Sequence, residues 1–391
     1  MSQEKETKVY YRTCPLCEPT CGLAITLLGD QVVQIRGDKD DVFSKGFFCP
    51  KGAALGDLHF DPDRLKRPMV KRDGFFQEVS WDDAFAEAEK GLWPIIEQHG
   101  PDAVAVFFGN PAAHTHVGAL YLRPFVKTLG TKNLFSAGTT DQMPKHVSCG
   151  LMFGRPGNIP VPDLNRTDYL LMIGANPLVS GGSICTAPNF AGHIKGIRNR
   201  GGKVVVVDPV RTRTAKAASE HHYIRPGTDP YLLLAMIRTL FEENLVNLDR
   251  LTDHVNGVES IETAARDFTA DTAAPVCGID SETIKRLARE LAGAPSGVVY
   301  SRLGTHTAEF GTLNAWLVDV LNILTGNLDQ PGGAVFAQPA HSRPWTGPGG
   351  RGWTMGRWKS RAKGHPEVLN EFPVATLPDE IETPGPGQVQ G

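Results

Sequence analysis

No run of about 18 apolar residues occurs in the 391-residue chain, so the sequence offers no helix able to cross a bilayer. The opening stretch, MSQEKETKVYYRTCP, is polar and charged, with neither an apolar signal core nor a twin-arginine pair. This predicts an uncleaved N-terminus and a cytoplasmic protein. No charge of one sign dominates: 40 Lys and Arg stand against 43 Asp and Glu, a net −3. That balance calls for neither nucleic acid nor a membrane surface. Cysteine is scarce and odd in number, seven in all, which argues against a disulfide framework and for reduced, partly metal-bound thiols. G-x-G-x-x-G is missing from the segments read below as α/β, so an ordinary NAD site is not expected there. The length is enough for two or three domains and a large core.

Four of the seven cysteines are concentrated near the start. Cys14, Cys17, Cys21 and Cys49 read C-x2-C-x3-C-x27-C, and Pro50-Lys51-Gly52 follows directly. Three closely packed thiolates, with a distant fourth followed by proline, suit a cubane iron–sulfur cluster. Zinc is the competing reading. Structural zinc sites usually pair two CxxC knuckles or use Cys2His2. Here Cys49 stands alone, and His59 lies well beyond the Pro-Lys-Gly turn. A [4Fe–4S] cluster is therefore expected on these four residues.

Short apolar runs at 9–11, 23–28 and 32–35, with Gly29-Asp30 between the last two, predict a small antiparallel β unit around the cysteines. Residues 61–68 read as a connector. Ser80 is placed to cap a helix from Trp81 to about Gln98, with Asp83 at the capping-box position. Beyond it the pattern changes to α/β. Apolar strand runs at 103–108, 169–173, 204–207 and 297–300 alternate with helical patterns at 189–200, 232–244, 282–292 and 312–324. Doubly wound layers follow from that alternation, with ligands at the carboxyl ends of strands. From 338 onward the chain is rich in Gly, Pro, Trp and Arg. Arg343, Arg351, Arg357, Lys359, Arg361 and Lys363 interleave with Trp345, Trp353 and Trp358. Nucleic-acid contact is the reading such a stretch invites, and the balanced charge elsewhere sets it aside. Residues 378–391 read as a poorly ordered linker.

Three strand-end loops look built for a nucleotide. Gly174-Ala175-Asn176-Pro177 follows one strand, where glycine lets backbone amides approach a pyrophosphate. Asp208 ends the next, placed for ribose hydroxyls, and Arg211 is placed for phosphate. Pro226-Gly227-Thr228-Asp229 adds a second acid. Each alone is an ordinary turn composition. Their order within one α/β unit is what points to a ligand.

These features together resemble the molybdenum/tungsten bis-pterin oxidoreductases, which include formate dehydrogenases, nitrate reductases and dimethyl sulfoxide reductases. The resemblance rests on the cysteine set with Pro50-Lys51-Gly52, on Ser80-Trp81-Asp82-Asp83-Ala84, and on the three loops with Thr212 beside Arg211. Leu324-Thr325-Gly326-Asn327 and Pro331-Gly332-Gly333 complete it. It implies a fold of α/β class with a small N-terminal antiparallel β unit, as in formate dehydrogenase/DMSO reductase-like domains I–III, in part. The implied domains are 1–62 for the [4Fe–4S] cluster, 63–137 with 301–391 for a first, incomplete α/β domain, and 138–300 for a second that binds molybdopterin guanine dinucleotide. The implied activity is two-electron chemistry at Mo or W held by a bis-molybdopterin guanine dinucleotide, with electrons leaving through the cluster. Lys51 becomes the electron relay between cluster and pterin. Gly174, Asn176, Pro177, Asp208, Arg211, Thr212, Gly227 and Asp229 become the holders of one dinucleotide.

Two departures from the family pattern stand out. Counting from Asp141 puts Val147 where the family supplies a metal ligand, and valine cannot ligate. Ser148 and Cys149 adjoin it. Cys149 is the candidate Mo/W ligand, with a buried small residue as its other reading. His146 is a candidate proton-transfer group, and Lys145 a candidate anion binder. The chain is also shorter than the family, which makes it look like a fragment or split product. Its expected partners are a small-molecule substrate, an electron-transfer protein and a separate C-terminal polypeptide. Two alternatives stay open: a non-redox hydratase on the same scaffold, and a truncated, non-catalytic electron-transfer or binding fragment.

Overall fold

The structure, a computed structural model, describes residues 6–338 and 353–391. It divides into two compact units, one of residues up to Thr140 with Met355–Gly391 and one of Asp141–Thr354. Arg343, Trp345 and Arg351 of the basic, Trp-rich stretch lie outside the described residues.

The first unit opens with an antiparallel sheet of β1 (Thr7–Thr13), β2 (Gly22–Leu28) and β3 (Gln31–Gly37), in that order. Gly29, at φ 59°, makes the turn between β2 and β3 that Gly-Asp predicts. Its core is small: Cys14, Cys21 and Leu23, backed by Leu16, Ile25, Ile35, Phe47, Phe48 and Leu55. Two short helices, α1 (Pro50–Ala53) and α2 (Leu55–Phe60), lead to a hairpin of β4 (Met69–Arg72) and β5 (Phe75–Glu78). Helix α3 (Trp81–His99) begins as expected, with the Asp83 N–H donating to the Ser80 hydroxyl at 3.1 Å.

Strand β6 (Val106–Phe108), helix α4 (His116–Leu129) and strand β7 (Leu134–Ser136) complete a parallel two-stranded sheet. The apolar run 103–108, expected as one buried strand, is only partly so. Residues 101–103 form a 3-10 turn, Ala103 and Val104 are buried, and Phe107 is 55% exposed. Two strands are too few to cover both faces of a parallel sheet, and α3 and α4 accordingly bury no side chain. Residues 378–391 depart from the linker expectation. A helix spans Leu377–Glu382, Glu380 is fully buried, and the Ala362 N–H donates to its carboxylate at 2.8 Å. The Gln390 N–H donates to the Ala103 carbonyl and the Ala105 N–H to the Gly391 carbonyl, both at 2.8 Å. Backbone groups of 103–105 that turn away from β7 need partners, and the last residues supply them.

The second unit is a parallel sheet in the order β11-β10-β9-β12: β9 (Tyr169–Ile173), β10 (Lys203–Val207), β11 (Glu220–His222) and β12 (Gly297–Ser301). Around it run α5 (Met143–Phe153), α6 (Pro177–Ser180), α7 (Phe190–Asn199), α8 (Arg213–Ala217), α9 (Asp229–Glu242), α10 (Val258–Ala265), α11 (Ala270–Cys277), α12 (Ser281–Gly293), α13 (Leu303–His306) and α14 (Gly311–Leu324). An antiparallel pair, β8 (Pro160–Pro162) with β13 (Ala334–Phe336), lies outside that sheet. Side chains alternate between the sheet's faces. Leu171, Ile173, Val205, Val207 and Val299 share a core with α9, α12 and α14. Leu170, Met172, Val204, Val206 and Val298 share the other with α7. Each such burial contributes about 1.5–3 kcal/mol before entropy is counted, which is why these strands read as continuous apolar runs.

The expected boundary at residue 301 moves. β12 pairs with β9. The Asn322 side chain stitches α14 to β12, accepting from the Val299 N–H at 2.8 Å and donating to its carbonyl at 3.0 Å. Strand 297–301 and helix 311–324 therefore belong to the second unit, and Met355–Gly391 joins the first.

Candidate functional site

The cysteine cradle is the far end of the β1–β2 hairpin. Thr13 pairs with Gly22, so residues 14–21 form its loop. The Cys14 N–H donates to the Cys21 carbonyl at 2.8 Å, and the Thr20 N–H to the Cys17 carbonyl at 3.1 Å. Cys49 precedes α1. A Cβ added to Gly52, within α1, would lie 3.9 Å from the Cys14 Sγ and 3.3 Å from the Phe48 ring. The turn after Cys49 thus closes onto the hairpin loop. Cys17 and Cys21 lie within electrostatic reach of the other cysteines. Burial pushes the Cys21 thiol up to about 11, helped by the charges of Cys17, Cys14 and Cys49. Burial also raises Cys17, and Lys51 offsets part of that rise. The donor set, three cysteines around one hairpin loop and a fourth at the turn that closes onto it, fits a [4Fe–4S] cluster. Among the described residues no three His, Cys, Asp or Glu side chains group closely enough to hold one metal ion. Lys51 is exposed on α1.

The three predicted loops leave the carboxyl ends of adjacent parallel strands β9, β10 and β11, so they share one edge of the sheet. Gly174, at φ 58°, donates its N–H to the Val207 carbonyl at 3.0 Å and accepts from the Gly304 N–H at 2.9 Å. A Cβ on Gly174 would come within 2.9 Å of the Thr305 nitrogen, and one on Gly304 within 2.9 Å of the Gly174 Cα. The backbone contact requires glycine on both sides. Asn176 accepts from the Thr214 hydroxyl at 2.7 Å, and Pro177 starts α6. The Asp208 carboxylate accepts from the Val210 N–H at 2.8 Å, and burial raises its pKa. Arg211 is exposed, and Thr212 caps α8, accepting from the Ala215 N–H at 3.1 Å. Gly227, at φ 79°, has open space where a Cβ would stand. Asp229 begins α9 at 4% exposure. Burial pushes its carboxyl up to about 6, and the Asp208 charge adds to the rise. Two sheltered carboxylates that repel each other favour a ligand rich in N–H and O–H donors, which the ribose and base of a guanine dinucleotide supply.

The segment read for a metal ligand folds as α5. Cys149 is fully buried, and burial pushes its thiol up to about 12. On the next residue, a Cβ at Gly150 would meet the Trp353 ring at 2.3 Å, so that part of the helix is covered. Cys149 is thus placed as a packed small residue of α5. Lys145 Nζ sits 2.7 Å from both Asp319 carboxylate oxygens, with both side chains buried. Its charge is matched inside the unit and not offered to an anion. His146 is half-buried, its Nδ1 2.8 Å from the Pro156 carbonyl, and burial lowers its pKa.

Arg302 is a further residue of this edge. It follows β12 at the same edge as the other three loops. Its Nε and one terminal nitrogen donate to the Ser183 hydroxyl at 3.1 and 2.6 Å, and its other terminal nitrogen meets the Asp141 carboxylate. The signal was available: Tyr300-Ser301-Arg302-Leu303-Gly304 is a strand end running into a glycine, the same pattern that marked Gly174.

Comparison with known proteins bears on this geometry. The molybdopterin oxidoreductase family matches residues 64–345, and the molybdopterin oxidoreductase Fe4S4 domain matches residues 7–59. The chain is 28% identical over 332 residues to F420-dependent formate dehydrogenase 2 subunit alpha of Methanococcus maripaludis, covering 84% of this chain and 47% of that protein. It is 29% identical over 356 residues to a nitrate reductase of Symbiobacterium thermophilum, covering 85% and 45%. Acetylene hydratase from Pelobacter acetylenicus shares the fold, with a TM-score of 0.71 at 22% identity over 84% of this chain and 45% of that one. The chain thus spans about half the length of the curated relatives it matches. The matched domains imply a [4Fe–4S] cluster and molybdopterin with Mo or W. Among the described residues no helix is long and apolar enough to cross a membrane. With its cysteine hairpin and its α/β body both matched, the chain belongs to the molybdopterin oxidoreductase family.

Proposed function

We propose that this chain carries the cluster domain and one guanine-dinucleotide site of a formate dehydrogenase- or nitrate reductase-like enzyme. The observation that carries this reading is the meeting of the Gly174, Asp208 and Asp229 loops on one carboxyl edge. When bound, the pterin-held Mo or W supplies two-electron chemistry and the cluster passes electrons singly. The chain's own residues have simpler tasks. Gly174 and Gly304 let the backbone approach a pyrophosphate, and Arg211 stands exposed for its charge. Asp208 takes ribose hydroxyls and Asp229 takes the N–H donors of the base. Lys51 places a positive charge beside the thiolates and favours the reduced cluster. His146, half-buried with its Nδ1 at the Pro156 carbonyl, is the proton-transfer group.

Turnover by the whole protein is expected to need the region present in the longer relatives, in the same chain or as a second polypeptide. The uncovered faces of α3 and α4 support this, because exposed apolar helix faces in a soluble unit mark surfaces that another part covers. A small-molecule substrate and an electron-transfer protein complete the proposed assembly. Anaerobic stopped-flow of the complete enzyme with formate or nitrate tests the reading. Redox turnover of the cluster absorbance by one of them, slower in Lys51→Ala at unchanged metal content, is expected. A cluster that stays unchanged while an alkyne is hydrated would replace the redox reading with a hydratase.

A further inference from the structure

Three buried polar side chains lie on α5, α13 and α14, which pack together, each with atoms that no group among the described residues meets. His306, 2% exposed, has both ring nitrogens unpartnered. Ser148, equally buried, has its hydroxyl unpartnered, and fully buried Asn314 has its amide oxygen unpartnered. Short links gather them. Ser148 stands one turn from Lys145 on the buried side of α5, and Lys145 crosses to Asp319 on α14. The Asn314 amide donates to the Thr305 carbonyl at 3.1 Å, one residue before His306. Arg302, Lys145 and His146 are the charges that His306 feels.

An unmet buried polar atom costs as much as a lost hydrogen bond, and four on three mutually packed helices call for a ligand. The surrounding charges select its chemistry. A cation is disfavoured by Lys145 and Arg302 nearby. An anion is disfavoured because Asp319 and Asp141 already match those two charges, and because the Asn314 oxygen only accepts. Burial, with those cations, holds the His306 ring neutral, down to about 3, so it offers one donor and one acceptor. Ser148 offers one of each kind as well. The set fits a small neutral molecule that both donates and accepts, which is water.

We propose that the α5–α13–α14 junction is a binding site for internal water that joins His306, Ser148 and Asn314. Its consequence lies at the nucleotide edge. α13 follows β12 directly, and Gly304 within it touches Gly174. Water held behind α13 therefore sets where that loop stands, and His306 is a positioning residue. The inference stands independently of the proposed reaction.

The test is a crystal structure of the complete purified protein at a resolution that shows individual waters, with two variants. At least two ordered waters within about 2.7–3.2 Å of these atoms are expected. Direct contact without water, or cofactor atoms or an ion in that place, would overturn the proposal. Ser148→Ala and His306→Leu should each lower Tm by about 2–4 °C, because each strips a partner from bound water. An unchanged or raised Tm contradicts it, since deleting an unmet polar atom from a dry core is neutral or stabilising. Should His306→Leu fail to fold, Ser148→Ala still decides. In nitrogen NMR the His306 ring should stay neutral from about pH 5 to 8, and its signals should move in Ser148→Ala. Unmoved signals would leave no water link between the two residues and would also refute it.

Discussion

Removing the Lys145 ammonium while Asp319 stays in place would strand a carboxylate in the middle of the second unit. Lys145 is 6% exposed and Asp319 1%, and each Asp319 oxygen lies 2.7 Å from the one ammonium. Breaking a buried pair from one side costs about 3–5 kcal/mol, because the remaining charge keeps its desolvation penalty and loses its partner. In a unit of this size that is a fall in Tm of roughly 6–20 °C. Lys145→Met should show it, measured by guanidinium unfolding at neutral pH. The double variant Lys145→Met/Asp319→Leu should recover most of the loss, since apolar side chains of similar volume replace both charges. The pH dependence has a definite sign. Burial raises the Asp319 pKa in the folded state. A raised carboxylate contributes stability at low pH and loses it as pH rises through the folded value. Once Lys145 no longer counters that rise, Lys145→Met should approach wild-type stability as pH falls. A loss under about 1 kcal/mol in Lys145→Met, with no recovery in the double variant, would refute a buried pair bridging α5 and α14.

Asp229 gives a second pH test in protein stripped of nucleotide. Its carboxyl is pushed up to about 6, so its contribution is complete below the ordinary value near 3.9 and lost as pH rises through 6. Asp229→Asn should therefore stabilise the stripped protein by about 2–3 kcal/mol at pH 8 and by much less at pH 4, while retaining less guanine nucleotide in the loaded protein. Equal stability at both pH values would contradict the buried placement of Asp229. Cys149→Ala should leave Mo or W content unchanged by metal analysis, because the thiol is packed and protonated. Loss of the metal in this variant would restore Cys149 as a ligand.

What the sequence made legible was local. The cysteine spacing needs only the hairpin loop 14–21 and the turn after Cys49, and both are short-range. Tyr169–Ile173 and Lys203–Val207 read as strands because both faces are buried, leaving no polar alternation to confuse them. Sheet membership was not legible in the same way. Gly297–Ser301 has the same composition whichever strand it pairs with, and the pairing with β9 is a non-local choice. The Asn322 bonds to Val299 that tie α14 to it leave no pattern along the chain. Residues 378–391 misled for a related reason. Their Pro and Gly content signals a linker, but what holds Gln390 and Gly391 is backbone pairing, which has no residue signature. The α5 segment is different, because its signal was present. Lys145, Ser148 and Cys149 stand at i, i+3 and i+4, one face of a helix. Counting from Asp141 gave a position in the segment but ignored that face, and the face is the buried one.

A cysteine-held cluster and a pterin guanine dinucleotide in one molecule are tested most directly by the composition of the complete gene product purified without oxygen: iron, acid-labile sulfide, Mo, W, zinc and guanine nucleotide released by acid. About four irons and four sulfides per chain are expected, together with Mo or W and guanine nucleotide. Cys14→Ser should lower the iron, and Asp229→Ala should lower the nucleotide while sparing the iron. Stoichiometric zinc without sulfide, or a folded protein devoid of guanine nucleotide, would contradict the account.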